Sequence, residues 1–163
     1  MANNHFTLSF LVTQTPQQVF DAINNVPAWW AEDFNGASHQ PGDEFEVRFF
    51  TDVHYSKHKV EEVIPAKKIV WTVTDSCLNF LQNKSEWTGT KMVFDILEEG
   101  TQTRLVFTHV GLTPAIECFN DCSHGWTQLL LHSLKNYITT GKGNPNVLNK
   151  EVAEKEGLTN TVD

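Results

Sequence analysis

Two hydrophobic periods alternate along the chain, and the switches between them mark its elements. From Phe6 to Val12 the even positions are apolar and the odd ones mostly polar, which predicts a half-buried strand. Thr15-Pro16-Gln17-Gln18 then reads as a helix start: Thr15 suits the N-cap, Pro16 the first helical position, and Gln18 completes a capping box. The helix buries Val19, Phe20 and Ile23 and runs out at Asn24-Asn25, after which Val26-Pro27-Ala28-Trp29-Trp30 adds a second helical turn.

A succession of strands follows. Gly42 marks a turn before Phe45, Val47 and Phe49, which alternate with Glu44, Glu46 and Arg48. A long strand is predicted over 53–64, Pro65-Ala66-Lys67 turns it, and the next strand holds Ile69, Trp71 and Val73 on one face. Residues 76–86 read as an irregular polar connection, and 87–97 as a strand with Thr90, Met92, Phe94 and Ile96 on one side. Glu98-Glu99-Gly100-Thr101 is a hairpin turn with Gly100 left-handed, and the strand after it places Leu105, Phe107 and His109 together.

The last period is helical. Thr113-Pro114 can start a short helix, and Asp121 or Ser123 can cap one about 16–19 residues long, with Trp126, Leu130, Leu134 and Tyr137 or Ile138 on one face. Gly141-Lys142-Gly143 ends it. The expected organisation is one domain over 1–143 followed by a polar tail over 144–163. One strand, two short helices, a run of strands and a long helix make an α+β order. The apolar face of the sheet needs a cover, and only the C-terminal helix is long enough to supply it. Space beneath such a cover is where small ligands commonly bind.

Composition narrows the function classes. The 163 residues fit one domain, and 40% hydrophobic with 20% charged is an ordinary globular profile. Phe 11 and Trp 5 against Tyr 2 favour apolar-lined space over a wet binding face. Lys and Arg number 12 and Asp and Glu 20, a net charge of −8 spread over both halves. No basic stripe exists to neutralise phosphates, so neither nucleic acid nor an anionic membrane surface is an expected partner. The first basic side chain is Arg48, and no apolar run approaches the ~18 residues of a bilayer span, so a soluble cytoplasmic protein is expected.

The residues resemble a known family at several places. Thr15–Ala22 followed by Trp29-Trp30 looks like its opening helix and turn, and Gly42-Asp43-Glu44-Phe45 like its first meander strand. Val60–Pro65 before Lys68-Ile69-Val70-Trp71 resembles its central hairpin. Gly89–Phe94, Thr103–His109 and Gly125-Trp126 with Ser133-Leu134 complete a match over about residues 5–142. This is the START-like (SRPBCC) superfamily, in the branch homologous to the C-terminal domain of the heat-shock-protein-90 ATPase activators. The resemblance implies a helix-grip fold (START/Bet v-like), a curved antiparallel sheet wrapped around a long C-terminal helix with two short helices after the first strand. It also implies a deep apolar cavity between sheet and helix. Members bind lipids, sterols, hormones or polyketides, and a few catalyse reactions in the cavity. The eukaryotic activators carry a separate docking domain for the chaperone, and this chain is expected to act without one.

Strand parity and the helical face supply the candidate ligand-binding set: Phe49, Trp71, Phe94, Phe107, His109, Phe119, Trp126, Leu130 and Leu134. As a packed core these residues need no function; as cavity walls they would select a flat or branched apolar molecule. Trp29 and Trp30 close one end, with one of the pair open to exposure. His109 has two readings, a structural histidine tying the strand to the helix, or a ligand contact or general base with its pKa near neutrality. Cys118, Cys122 and His124 have zinc-ligand chemistry without repeated CxxC spacing, so the two cysteines read as buried reduced thiols, like Cys77, and no metal is expected. His54, Ser56 and His58 share one face of a long strand and read as the solvent side, unless a bulge turns one inward. Asp75, Glu86 and Glu117 lie near the expected rims, but no spacing pairs them for acid–base work.

The expected function is binding of an apolar or lipid-like small molecule. The alternatives are a chaperone-ATPase accessory, with a chaperone as partner, or a cavity enzyme using His109. No cofactor is expected, and no nucleophile elbow, P-loop or dinucleotide-binding glycine pattern occurs.

Overall fold

The computed structural model describes residues 5–49 and 53–145. Its strands are β1 (Phe6–Val12), β2 (Asp33–Gly36), β3 (Glu44–Phe49), β4 (His54–Ile64), β5 (Lys68–Leu78), β6 (Lys91–Glu99) and β7 (Gln102–Val110). They form one antiparallel sheet in the order β1-β7-β6-β5-β4-β3-β2. The chain leaves β1 through α1 (Pro16–Asn24) and α2 (Val26–Trp29), crosses to the far edge at β2, and meanders back until β7 pairs with β1. With the C-terminal helix against the curved inner face, this is the helix-grip fold.

Local chemistry sets the entry to α1. The Thr15 hydroxyl accepts the Gln18 amide at 3.1 Å, and the Gln18 side chain accepts the Thr15 amide at 2.9 Å. This reciprocal box satisfies two amides that the helix cannot, a contribution of about 1 kcal/mol.

The C-terminal helix runs without a break from Phe119 to Thr140, as α3 (Phe119–Leu129), a π-helical turn (Leu130–Leu134) and α4 (Lys135–Thr140). Its start differs from expectation. Cys118 is the N-cap and makes no side-chain cap bond, so neither Asp121 nor Ser123 caps the helix. The Glu86 carboxylate does that work from another loop, accepting the amides of Glu117 at 2.8 Å and Cys118 at 3.0 Å. Buried positions recur every four residues, at Trp126, Leu130, Leu134 and Ile138. A step of four overshoots the 3.6-residue α-helical turn, and the wider π turn takes up the drift. Ile138, not Tyr137, therefore completes the buried face. Gly141 closes the helix in the left-handed region at φ 85°, its amide bonded to the Tyr137 carbonyl.

Three strand expectations change, and with them one about the tryptophan pair. The edge strand β2 was not anticipated, since Asp33–Gly36 is four residues with one apolar side chain. β5 runs on to Leu78 through a region read as connection, because bulges between Lys57 and His58 and between Val60 and Glu62 let it follow β4 to the end. β6 begins at Lys91, which leaves Trp87 in the preceding loop. Trp29 and Trp30 are both inside, 0% and 1% exposed, where one was open to exposure. Beyond Pro145 the expected polar tail lies outside the described residues.

Candidate functional site

The inner face of the sheet is an aromatic interior. β3 sends Phe45, Val47 and Phe49 inward, β5 Ile69, Trp71 and Val73, β6 Met92, Phe94 and Ile96, and β7 Leu105, Phe107 and His109, all buried. Trp30 stands at the centre. Its ring lies parallel to Trp71 with centroids 5.9 Å apart, 5.2 Å from Trp126 and 5.0 Å from His58. Trp71 meets Phe94 at 4.9 Å, and Phe107 meets Trp126 at 4.5 Å. Phe49, Trp71, Phe94, Phe107, Trp126, Leu130 and Leu134 thus belong to one core, and Phe119 packs half-buried at its margin.

Two polar groups are embedded in these rings. The first surrounds His109, which is fully buried. Its Nε2 lies 2.9 Å from the Thr90 hydroxyl, and its Nδ1 accepts the Trp126 indole N–H at 3.0 Å. Nδ1 accepts, so the proton sits on Nε2 and is donated to Thr90, whose own proton goes to the Trp87 carbonyl at 2.6 Å. Both nitrogens are in use, and burial pushes the imidazole pKa down to about 3, with His5 adding to the shift. This geometry fits the structural reading of His109 and leaves no nitrogen for a ligand carboxylate or a general-base role.

The second group overturns an expectation. His54, Ser56 and His58 face inward and are buried, not solvent-exposed. Pairing with β3 dictates this: His54 stands opposite Phe49, Ser56 opposite Val47, and His58 opposite Phe45. The Ser56 hydroxyl bridges the two imidazoles, 3.0 Å from His54 Nε2 and 2.9 Å from His58 Nε2. Burial lowers the His54 pKa to about 3. It also holds His58 well below its ordinary value, with His54 and His109 contributing further. The other buried polar residues are Asn24, Ser38, Ser76, Thr103 and Ser133. With the three histidines neutral, none of these buried residues carries a charge.

Glu86 and Glu117 do not form an acid–base pair. While Glu86 holds the start of α3, the Glu117 carboxylate accepts the amides of Gln82, at 3.0 Å, and Asn83. The two loops are reciprocally clasped, and the clasp carries Trp87 into the core, where it stacks on Trp126 at 6.1 Å. Asp75 is exposed on β5, with an oxygen on the Ser76 amide. Cys118 and Cys122, expected as reduced thiols, are joined as a disulfide with Cα atoms 5.4 Å apart, a separation within the range that a bridge spans. Cys77 is a free thiol. Among the described residues no three His, Cys, Asp or Glu side chains are grouped to hold a metal ion. A concavity of about 400 Å³, lined by Arg48, Tyr55, Cys77 and Asn79, lies on the outer face, away from the predicted lining.

The profile described as Activator of Hsp90 ATPase homolog 1-like protein (AHSA1) matches residues 14–139. The chain belongs to this family. The match takes in α1, β2 to β7 and nearly all of the C-terminal helix, the elements that enclose the aromatic interior. No match was found among curated proteins. Among solved structures, this AHSA1 chain is similar to the Aha1 dimer from Colwellia psychrerythraea, at 25% identity and a TM-score of 0.69, covering 88% of this chain and 100% of that one. It shares its fold with DynU16, a protein in the dynemicin biosynthetic locus, at 15% identity and a TM-score of 0.63, covering 87% and 49%. CalU16 from Micromonospora echinospora shares it too, at 14% identity and a TM-score of 0.62, covering 95% and 88%. Among the described residues no helix is long and apolar enough to cross a membrane.

Proposed function

We propose that this AHSA1-family protein binds an apolar small molecule between the inner face of the sheet and the C-terminal helix. The walls are Phe49, Trp71, Phe94, Phe107, Trp126, Leu130 and Leu134, with Phe119 at the margin. The observation that carries the reading is the π-helical turn Leu130–Leu134. Such turns are rare and are frequently found at functional sites. This one lies in the long helix that packs against the inner face of the sheet, and its two end residues, both fully buried, belong to the proposed wall. Widening the winding there reshapes the wall while leaving the sheet register alone. His109 acts as a positioning residue that fixes the Trp126 indole. The protein works in the cytoplasm on this reading.

Native mass spectrometry of the freshly purified protein, beside a denatured control, tests this. An additional mass, present natively and lost on denaturation, is expected, and Trp126→Ala should abolish it. A clean mass, together with no thermal stabilisation by a panel of neutral lipids, aromatic alcohols and aromatic acids, would overturn the proposal, because only an open site gains stability from a ligand.

A second reading is a chaperone-ATPase accessory. The family description and the likeness to the Colwellia Aha1 protein favour it. It predicts that the isolated chain stimulates the ATPase of a heat-shock-protein-90 partner, and an unchanged rate would reject it.

A further inference from the structure

Among the described residues, three polar atoms inside the aromatic interior have no hydrogen-bond partner: His58 Nδ1, Trp71 Nε1 and Trp87 Nε1. A buried polar group without a partner has given up water for nothing, and native interiors hold few of them. Two of the three are neighbours. The His58 and Trp71 rings lie 6.2 Å apart, and Trp30 is in contact with both, at 5.0 Å and 5.9 Å. Trp87 stands apart from this pair, against His54 at 5.0 Å and His109 at 4.8 Å.

We propose that the ligand is an uncharged, flat apolar molecule bearing a hydroxyl or carbonyl oxygen, and that His58 Nδ1 and Trp71 Nε1 hydrogen-bond that oxygen. The inference rests on the binding reading above and specifies its ligand class. The indole of Trp71 only donates. His58 can do either. Ser56 has one proton for two Nε2 atoms: when it donates to His58, the His58 proton sits on Nδ1, and when it accepts from His58, Nδ1 presents a lone pair. A ligand hydroxyl therefore takes the Trp71 proton and gives its own to His58, while a carbonyl takes a proton from each. Both groups already pack against flat rings, Phe45 stacked on His58 at 4.8 Å and Trp30 on Trp71 at 5.9 Å, so a flat partner suits their surroundings.

Charge separates this class from lipid acids. Among the described residues no buried polar residue supplies a formal charge, and burial keeps the three imidazoles neutral. A carboxylate or phosphate would enter without a counterion, which is far more costly than burying a neutral oxygen that finds two partners.

Naphthalene, 2-naphthol and 2-naphthoate provide one flat body with no oxygen, a neutral oxygen and an anion. Titrated calorimetrically into the full chain, 2-naphthol is expected to bind about tenfold more tightly than naphthalene, the effect of one net buried hydrogen bond, and 2-naphthoate not measurably. Without an anchor the order reverses, because naphthalene is the more apolar. Trp71→Phe keeps an aromatic ring, though a smaller one, and removes the N–H, so it should bring 2-naphthol down to the naphthalene level while naphthalene still binds. His58→Phe should do the same, with circular dichroism reporting the fold of each variant. Naphthalene at least as tight as 2-naphthol, 2-naphthoate as tight as 2-naphthol, or a preference that survives Trp71→Phe would each overturn the proposal. Naphthalene binding without a preference for 2-naphthol overturns the anchor alone and leaves water as the partner of these atoms. Failure of all three probes to bind overturns the binding reading with it.

Discussion

His109 and His58 are both fully buried imidazoles on the inner face of one sheet, and they differ in how their nitrogens are used. His109 is closed: Trp126 donates to one nitrogen and Thr90 accepts from the other. His58 is half open, with Ser56 on Nε2 and nothing on Nδ1. A closed imidazole is a tie between elements, here holding β7 to the C-terminal helix. A half-open one has desolvated an atom without compensation, which makes sense where a further molecule completes it. Burial and residue type are the same for the two, and what differs is the count of satisfied nitrogens.

Acidification probes what the two share. His54 and His109 have pKa values of about 3 in the folded chain against 6.5 for the ordinary imidazole. Above pH 6.5 both the folded and unfolded states hold them neutral, and the stability is fully present. Below it the unfolded chain takes up protons that the folded chain refuses until about pH 3, so stability falls as the pH falls through that window. Two histidines should cost about 3 kcal/mol between pH 6.5 and 5, with His58 adding in the same direction. Urea unfolding at the two pH values measures this, and equal midpoints would mean that the imidazoles are already solvated.

Substitution sharpens the difference between the sites. His109→Leu leaves the Trp126 N–H buried without an acceptor and deprives Thr90 of a donor, so it should cost about 3 kcal/mol. His58→Leu removes an unpartnered atom and leaves Ser56 bound to His54, so its cost should be about 1 kcal/mol or less. Denaturant unfolding gives both numbers. If His58→Leu proves the more destabilising, the division into closed and half-open sites fails.

The smallest effect concerns the loop that presses Trp87 onto His109. Glu86→Ala removes the acceptor for two amides at the start of α3 and should cost about 1 kcal/mol, the scale of a helix cap. Hydrogen exchange at the Glu117 and Cys118 amides should speed up, while the amides around His58 should not change. Acceleration at both sites would join them into one unit.

The sequence was easiest to read where neighbours along the chain decide the structure. β1, the Thr15 capping box, Gly100 (φ 66°) and the inward set of Leu105, Phe107 and His109 follow from parity or from contacts within a few residues. β4 departs from expectation because both of its faces are polar. A signal was nevertheless present: the opposite parity carries Lys57, Lys59 and Glu61, which are far costlier to bury than neutral histidine and serine, and Val60 shares the parity of His54, Ser56 and His58. Ranking the two faces by burial cost, and not by polarity alone, would have turned the triplet inward. Trp87 was placed on a strand because its hydrophobicity marks burial without saying whether a strand or a loop delivers it. In the helix, the spacing of Cys118 and Cys122 was visible and their pairing was not.

Alternation and capping are short-range, so the order of elements, the inward aromatic set and the family resemblance could all be read along the chain. The two bulges of β4 and β5, the Glu86–Glu117 clasp and the pairing of Thr90 and Trp126 with His109 depend on groups that meet only after the sheet closes against the helix. Whether a buried nitrogen has a partner depends on distances of about 3 Å between residues far apart in the chain. A one-dimensional pattern carries no such distances, so only the folded chain could show that His109 is closed and His58 is not.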